Sequence, residues 1–434
     1  MLNLFLIFFG KMFINLSRLL NLGNGSTWPG HIALKLNQNF IRQMLASHPK
    51  GAKLKIVIIA GTNGKTTTGR LITSVIREDG KSYLQNKAGA NLLNGLASTL
   101  IKGASLPRPG LGRLNVNYLI FECDEYALPE VIDQTNPNYI ICLNLFRDQL
   151  DRYGEIDSIT KRWSDSFKNL TSKTTLILNS DDPQVSYLGK NTKALVKYFG
   201  LSEIGEKNTK HGADSIYCPK CSANLEFEKV FFSHLGIWKC PKCKLKRPTP
   251  DHDKSNTYPL PGTYNKYNTI AASLVLSLEE LKEEVIRDAF NRFSPAFGRG
   301  EKIIYKGKHI QIFLSKNPTS FNESLSTVKE LGGKNLVILL NDKIPDGLDV
   351  SWIWDINFEE ILEKDMNIGI SGDRTYDMAV RLKYAGFFAH HNENAETIID
   401  KMLDSLEADE TLYFLPNYSA MLDIRKLLTG RKIL

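Results

Sequence analysis

Seven consecutive residues, Gly61-Thr62-Asn63-Gly64-Lys65-Thr66-Thr67, have the types and spacing to hold a polyphosphate. Glycines let the backbone come close to phosphate, successive N–H groups and a helix N-terminus point at the anion, Lys65 supplies charge, and Thr66 offers a hydroxyl to Mg²⁺. The preceding LKIVIIA is a continuous β-branched apolar run and the following GRLITSVIRED has helical spacing, so strand, loop and helix stand in the order such a loop requires. The general phosphate-loop pattern wants glycine where Ile59 stands, so the match is to the shorter GTNGKT form. The bland alternative is a glycine-rich turn with an incidental lysine.

Two further constellations can ligate metal. Cys218-Pro-Lys-Cys221 and Cys240-Pro-Lys-Cys243 are separated by 18 residues, the spacing of a structural zinc ribbon. Four thiolates close a tetrahedral site and leave no position for water, so such a metal stabilises the fold rather than catalyses. Disulfide or redox chemistry is the alternative, but redox C-x-x-C sites do not normally come as two spaced pairs. His211 and His234 are available as accessory ligands, whereas Cys123 and Cys142 lie in strand-like runs and read as small buried residues. Glu122, Asp124 and Glu125 follow the strand NYLIF, where ligands bind at the carboxyl edge of open α/β sheets. Oxygen ligands of this kind suit Mg²⁺. An acidic cluster that merely starts the next helix is the competing reading.

These residues must be positioned by a large framework. A chain of 434 residues predicts two or three domains. Composition, at 42% hydrophobic and 24% charged, is that of an ordinary globular protein and argues against disorder. A net charge of +8 spread along the chain fits nucleotides or an anionic membrane surface and does not demand nucleic acid. Paired C-x-x-C motifs point to a reducing compartment, hence the cytoplasm. NVNYLIFEC, ALPEVIDQT and PNYIICLNL alternate strand, helix, strand, which predicts a parallel α/β sheet with its site at the strand ends. The piece from about 205 to 253 breaks that rhythm and reads as an insertion, after which TYNKYNTIAASLVLSLEEL resumes it as a helix. KHIQIFLSK, KNLVILLND, MNIGISGDR and TLYFLPN then alternate with TSFNESLSTVKEL and TYDMAVRLKYAG, a second α/β unit of Rossmann-like type. The expected division is 1–49, 50–298 and 299–434. The apolar N-terminus MLNLFLIFFG is too short to span a bilayer and has no basic leader, so it predicts a packed helix, with Met12 as an alternative start and interfacial membrane contact as the sharper reading.

The GTNGKT loop after a strand resembles that of the Mur ligases and folylpolyglutamate synthetases, and further segments match in order. Asn144 to Asp151 is similar to the family's N-x-x-x-D-H-L-D, with Gln149 in place of histidine; LNSDDP at Leu178 to Pro183 follows a strand; Tyr264-Asn265-Lys266-Tyr267-Asn268 resembles H-N-x-x-N, with Tyr264 for histidine. FGRGEKI around Arg299 resembles the G-R-x-E hinge into the last domain. Together these cover most of residues 50 to 434. The departures at Gln149 and Tyr264, the cysteine module, the short N-terminal region and the segment Asp346-Gly347-Leu348-Asp349-Val350-Ser351-Trp352-Ile353-Trp354-Asp355 resemble the MurT branch.

That resemblance implies an ATP- and Mg²⁺-dependent carbon–nitrogen ligase with a Zn²⁺ ribbon. Residues 61–67, Asn265, Asn268 and Arg299 would bind nucleotide, Lys65 and Glu125 would serve catalysis, and Glu122 or Glu125 would join Thr66 at magnesium. The implied reaction converts the α-carboxylate of D-isoglutamate in the lipid II stem peptide to the amide through an acyl phosphate. No protein nucleophile is needed, because such transfer runs on positioning and charge neutralisation. Ammonia release from glutamine needs a cysteine–histidine pair. None has a recognisable setting in this sequence, so a GatD-like glutaminase subunit is the implied partner. Asp355 would complete that partner's catalytic site, with Asp346 and Asp349 as competitors and simple tryptophan packing as the plain alternative. Two rival functions remain: a stand-alone amino-acid ligase of the Mur or folylpolyglutamate type, and a zinc-ribbon nucleic-acid-binding NTPase.

Overall fold

In the computed structural model, the residues described are 2–19, 27–48, 53–86, 89–105, 114–146, 156–202, 215–295, 298–407 and 409–430. The predicted parallel sheet is present, with six strands: β1 (Lys55–Ala60), β2 (Tyr83–Gln85), β3 (Tyr118–Glu122), β4 (Tyr139–Cys142), β5 (Thr175–Asn179) and β6 (Leu195–Phe199). Their order is β2-β3-β1-β4-β5-β6, every pairing parallel. Near-continuous Ile, Val and Leu in β1, β3 and β4 follow from burial on both faces. Strand alternation divides them: Ile58, Phe121 and Ile140 pack into one core and Val57, Ile59, Ile120 and Ile141 into the other. Helices Lys65–Glu78 and Thr263–Leu278 pack against each other on the second face.

The insertion carries a two-stranded antiparallel hairpin, β7 (Glu226–Phe232) and β8 (Leu235–Lys239). A second six-stranded sheet follows: β9 (Arg299–Tyr305), β10 (Lys308–Phe313), β11 (Asn335–Leu339), β12 (Asn367–Ser371), β13 (His390–His391) and β14 (Thr411–Pro416), in the order β13-β12-β11-β14-β10-β9. It is parallel except for β9, which returns antiparallel to β10 from the G-R-x-E segment. There Glu301 pairs with Arg425 at 3.0 Å and so ties the entry of this sheet to the helix Tyr418–Thr429.

The N-terminal apolar run forms a helix, Leu2–Leu19, that buries Leu6, Ile7 and Ile14 against the first sheet's core. Phe5, Phe8, Phe9, Phe13 and Leu16 on the same helix stay exposed. No helix among the described residues is long and apolar enough to cross a membrane.

Candidate active site

β1 lies where the strand order reverses, between β3 and β4, and its carboxyl end opens into the phosphate loop, the place where open α/β sheets bind ligands. Gly64 is the residue before the helix Lys65–Glu78 and has φ of +92°. A Cβ there would sit 2.0 Å from Asn268 Oδ1, so both conformation and space require glycine. Gly61, at φ +137°, would likewise press 3.0 Å against the backbone of Asn144. The loop is braced from the segment just after β4: Thr62 N donates to Asn144 O at 3.1 Å and Asn63 N to Asn144 Oδ1 at 2.9 Å. Thr62 and Phe146 close a further pair, with Phe146 N donating to Thr62 Oγ1 at 3.0 Å.

The loop's charges are partnered inside the protein. Lys65 Nζ donates to the Gly61 carbonyl and to Glu125 Oε1, the latter at 3.0 Å. Thr66 Oγ1 donates to Glu122 Oε2 at 2.5 Å, and Gln85 Nε2 to Glu122 Oε1 at 3.3 Å. Burial pushes the Glu122 carboxyl up, opposed by the Thr66 hydrogen bond and by the charges of Arg299 and Lys65. Burial also lowers the Arg299 guanidinium, and Glu122 is the chief influence against that shift. The two acids that sequence left as alternatives therefore stand apart in role: Glu122 faces Thr66, while Glu125 holds Lys65.

Asn268 lies behind Gly64 and donates to Asn265 Oδ1 at 3.2 Å, and Asn265 is in turn fixed by donating to Pro261 O at 2.6 Å. Asn268 lines the cleft with Thr62 to Thr67, Tyr264 and Arg299; Gly61 and Asn265 support it from behind. Tyr264, where the family has histidine, is half-buried, and desolvation pushes its phenol up to about 12. It therefore stays protonated, a hydrogen-bonding group without histidine's switchable charge. The cleft holds about 210 Å³ and is closed from the second sheet by Leu314, Lys316, Ser320, Glu323, Ser324 and Tyr418. Those residues were not found from sequence. Their only sequence signal is Asn317-Pro318-Thr319-Ser320, a helix start whose capping box forms as that pattern predicts. Phe232 and Leu235 of the cysteine-bearing hairpin also line the cleft.

Two family models match the chain: the Mur ligase middle domain over residues 59–276 and the MurT ligase C-terminal domain over 314–421. The lipid II isoglutaminyl synthase (glutamine-hydrolyzing) subunit MurT of Streptococcus pneumoniae is 30% identical over 95% of this chain and 94% of its own. Its counterpart in Staphylococcus aureus strain COL is 32% identical over 83% of each chain. The chain belongs to the MurT family. Membership places it among ATP-dependent ligases. Solved structures share the fold: a pseudomurein peptide ligase type C from Methanothermus fervidus has a TM-score of 0.67 at 20% identity, covering 90% of this chain and 81% of that one. A MurF ligase from Thermotoga maritima in complex with ADP has a TM-score of 0.60 at 13% identity, covering 91% and 82%.

In this MurT-family chain the four ribbon cysteines converge: their sulfurs all lie within 4.8 Å of one another, and Cys218–Cys243 and Cys221–Cys240 are each 3.5 Å apart. A tetrahedral metal with bonds of about 2.3 Å needs sulfurs about 3.8 Å apart, so the cluster fits a metal ion. His234 is not part of it; it is buried with Nε2 3.4 Å from Asp182 Oδ2. His211 lies outside the described residues, as do Arg147 to Asp151 and with them Gln149. Cys123 and Cys142 are buried thiols, and burial pushes both up and away from reactivity.

The three acids of the second-sheet loop have different surroundings. Asp346 is buried, accepts from Ser419 N at 3.0 Å, and is pushed up by that burial. Asp349 accepts from Ser351 N at 2.7 Å, which holds its carboxyl low. Asp355 is exposed at the end of the 3₁₀ turn Ser351–Asp355, and it is not among the residues lining the nucleotide-loop cleft. Next to it Trp354 is half exposed and meets the ring of Tyr384 at 5.5 Å.

Proposed function

We propose that this chain is the ligase subunit of a lipid II isoglutaminyl synthase: it uses ATP to amidate the α-carboxylate of D-isoglutamate in the lipid II stem peptide. The single observation that carries the reading is the cleft in which Lys65, Thr66, Glu122, Asn268 and Arg299 converge on one face of the phosphate loop. The identity to MurT subunits over nearly the whole chain supports the substrate.

The residues divide the work. Backbone N–H groups of the loop and Lys65 bind the phosphates, and Glu125 orients the Lys65 ammonium. Thr66 and Glu122 would hold Mg²⁺, which supplies charge neutralisation at the phosphates when bound. Asn268, with Asn265 behind it, positions the nucleotide, and Arg299 brings a half-buried positive charge to the cleft. Phosphoryl transfer from ATP to the carboxylate gives an acyl phosphate and ADP. Ammonia then attacks the carbonyl carbon, inorganic phosphate leaves with the C–O bond pair, and the nitrogen gives up a proton. The four cysteines would hold Zn²⁺ as a structural ion.

Ammonia is supplied by a GatD-like glutaminase that docks on the second-sheet domain, the division of the chain being 1–49, 50–298 and 299–434. An exposed stripe supports that docking face: Tyr376, Val380 and Tyr384 recur every four residues along the helix Thr375–Tyr384, beside exposed Trp354 and Phe388. Asp355, exposed and next in sequence to Trp354, is the acid that would reach across and orient the partner's histidine, with Asp346 and Asp349 as its competitors. The exposed phenylalanines of the helix Leu2–Leu19 rest on the inner face of the plasma membrane, where lipid II resides.

The test is amide formation on lipid II by the purified chain with ATP, Mg²⁺ and ammonium chloride. The expected product is one amidated stem peptide per ADP released. ATP consumption that requires an added amino acid, or an oligonucleotide, would replace this reading by the corresponding rival.

A further inference from the structure

The cysteine ribbon is built into the cleft rather than appended to it. β7 and β8 meet at a tight turn, Ser233-His234, whose flanking residues Phe232 and Leu235 pair directly across the hairpin and both line the cleft. The tip is clamped onto the turn after β5. Gly236 N donates to Asp181 O at 3.1 Å, Trp238 Nε1 to Ser180 O at 3.1 Å, and Arg247 Nε to Asp181 Oδ1 at 2.7 Å. Tyr267, from the helix that carries Asn268, donates to the other Asp181 oxygen at 2.7 Å. The ring of Phe146 lies 5.3 Å from Phe232 and 4.8 Å from His234. Gly236 has no room for a side chain, since a Cβ would stand 2.1 Å from the Lys229 carbonyl. The tip is thus held on three sides.

From Leu235 the strand β8 runs directly to Cys240, a strut of about 17 Å at 3.3 Å per residue. One end of this strut is a metal ligand and the other is a wall of the cleft. The phosphate-loop part of the cleft is lined by N–H groups, hydroxyls and charges; the hairpin tip offers an aromatic ring and a leucine, surfaces suited to a flat heteroaromatic ring and not to phosphate.

We propose that Phe232 and Leu235, at the tip of the cysteine ribbon, form the apolar wall that receives the base of the nucleotide, so that metal at the four cysteines sets nucleotide affinity as well as the ribbon's fold. This rests on the reading that the cleft binds ATP. Metal loss unties the far end of β8, loosens the tip, and weakens binding through the base while leaving the phosphate loop intact.

The experiment is calorimetric titration of Mg²⁺-ATP into the metal-loaded full chain and its Phe232→Ala, Leu235→Ala and Lys65→Ala variants, with and without prior metal removal by a thiol-competing chelator. A Phe232→Trp variant supplies a second readout, the quenching of its added fluorescence by ATP but not by inorganic tripolyphosphate. Phe232→Ala is expected to weaken ATP binding about tenfold, the worth of one base–aromatic stack. Metal removal is expected to weaken it similarly in the unaltered chain and far less in Phe232→Ala, because the two changes remove the same contact. If the unaltered chain binds no ATP, the reading of the cleft itself fails. If it binds ATP and Lys65→Ala weakens it, but Phe232→Ala binds as tightly and the Phe232→Trp signal ignores ATP, the proposal is overturned and the ribbon is only a structural module.

Discussion

The two six-stranded sheets of this chain handle their charged and aromatic residues in opposite ways. At the carboxyl edge of the first, the acids are buried and the charges are paired: Lys65 with Glu125, Glu122 with Thr66, and Arg247 with Asp181. On the second, aromatic side chains lie in the open, with Tyr384 at 77% and Phe388 at 88% exposure and Asp355 facing solvent. Buried, pre-oriented charges in a low-dielectric cleft are what phosphoryl transfer requires, since they need little reorganisation as charge develops. Exposed aromatics beside a solvent-facing carboxylate are what an intersubunit face requires, since they gain most when a partner removes them from water. The difference fits the proposed division of labour, in which nucleotide chemistry stays in the first sheet and the second presents a face to a partner.

Substitutions on the two sheets should therefore fail differently. The largest effect is expected from Asp355→Asn measured with glutamine and the partner: a loss on the order of 1,000-fold or more, as when the orienting acid of a triad is neutralised, with ammonium-dependent activity unchanged. Equal loss with both nitrogen sources would break the separation. Lys65→Ala should lower kcat about 100- to 1,000-fold with either nitrogen source, since one electrostatic contact to the transferring group is removed. Asp181→Ala leaves part-buried Arg247 and buried Tyr267 without their shared carboxylate and is expected to destabilise the chain by about 3 kcal/mol, read as a lower denaturant midpoint. Tyr384→Ala should weaken association with the glutaminase by about 1 to 2 kcal/mol without altering ammonium-dependent turnover, checked by calorimetry and a rate assay. The smallest effect is expected from Phe5→Glu with Phe9→Glu, which should reduce binding to anionic vesicles and leave ATP binding untouched.

How much of this was legible in the sequence depended on whether the signal was local. The phosphate loop could be read because its glycines, lysine and threonine are contiguous and bounded by a strand and a helix. The cysteine pairs could be read because ligand spacing within each knuckle is fixed by metal geometry. The choice between Glu122 and Glu125 could not, because it turns on how the chain leaves β3, where Glu122 turns to Thr66 and Glu125 reaches Lys65. Lys316, Glu323 and Tyr418 were invisible for a different reason: they reach the cleft from a separate sheet, more than two hundred residues away along the chain. LNSDDP resembles the family's segment after a strand, a match that by itself carries no role. The fold supplies one, since Ser180, Asp181 and Asp182 anchor the cysteine hairpin. The exposed stripe at Tyr376, Val380 and Tyr384 lies within TYDMAVRLKYAG, whose spacing predicts a helix but not which of its faces meets solvent; the packed structure leaves this one outside.

The central claim is a ligase whose ammonia comes from another chain, and the most direct measurement is lipid II amidation with ammonium chloride against glutamine, with and without a co-expressed glutaminase subunit. Amidation is expected with ammonium by the chain alone, and with glutamine only when the partner is present. Glutamine-dependent amidation by the isolated chain, or no amidation under either condition with ATP and Mg²⁺ present, would contradict it.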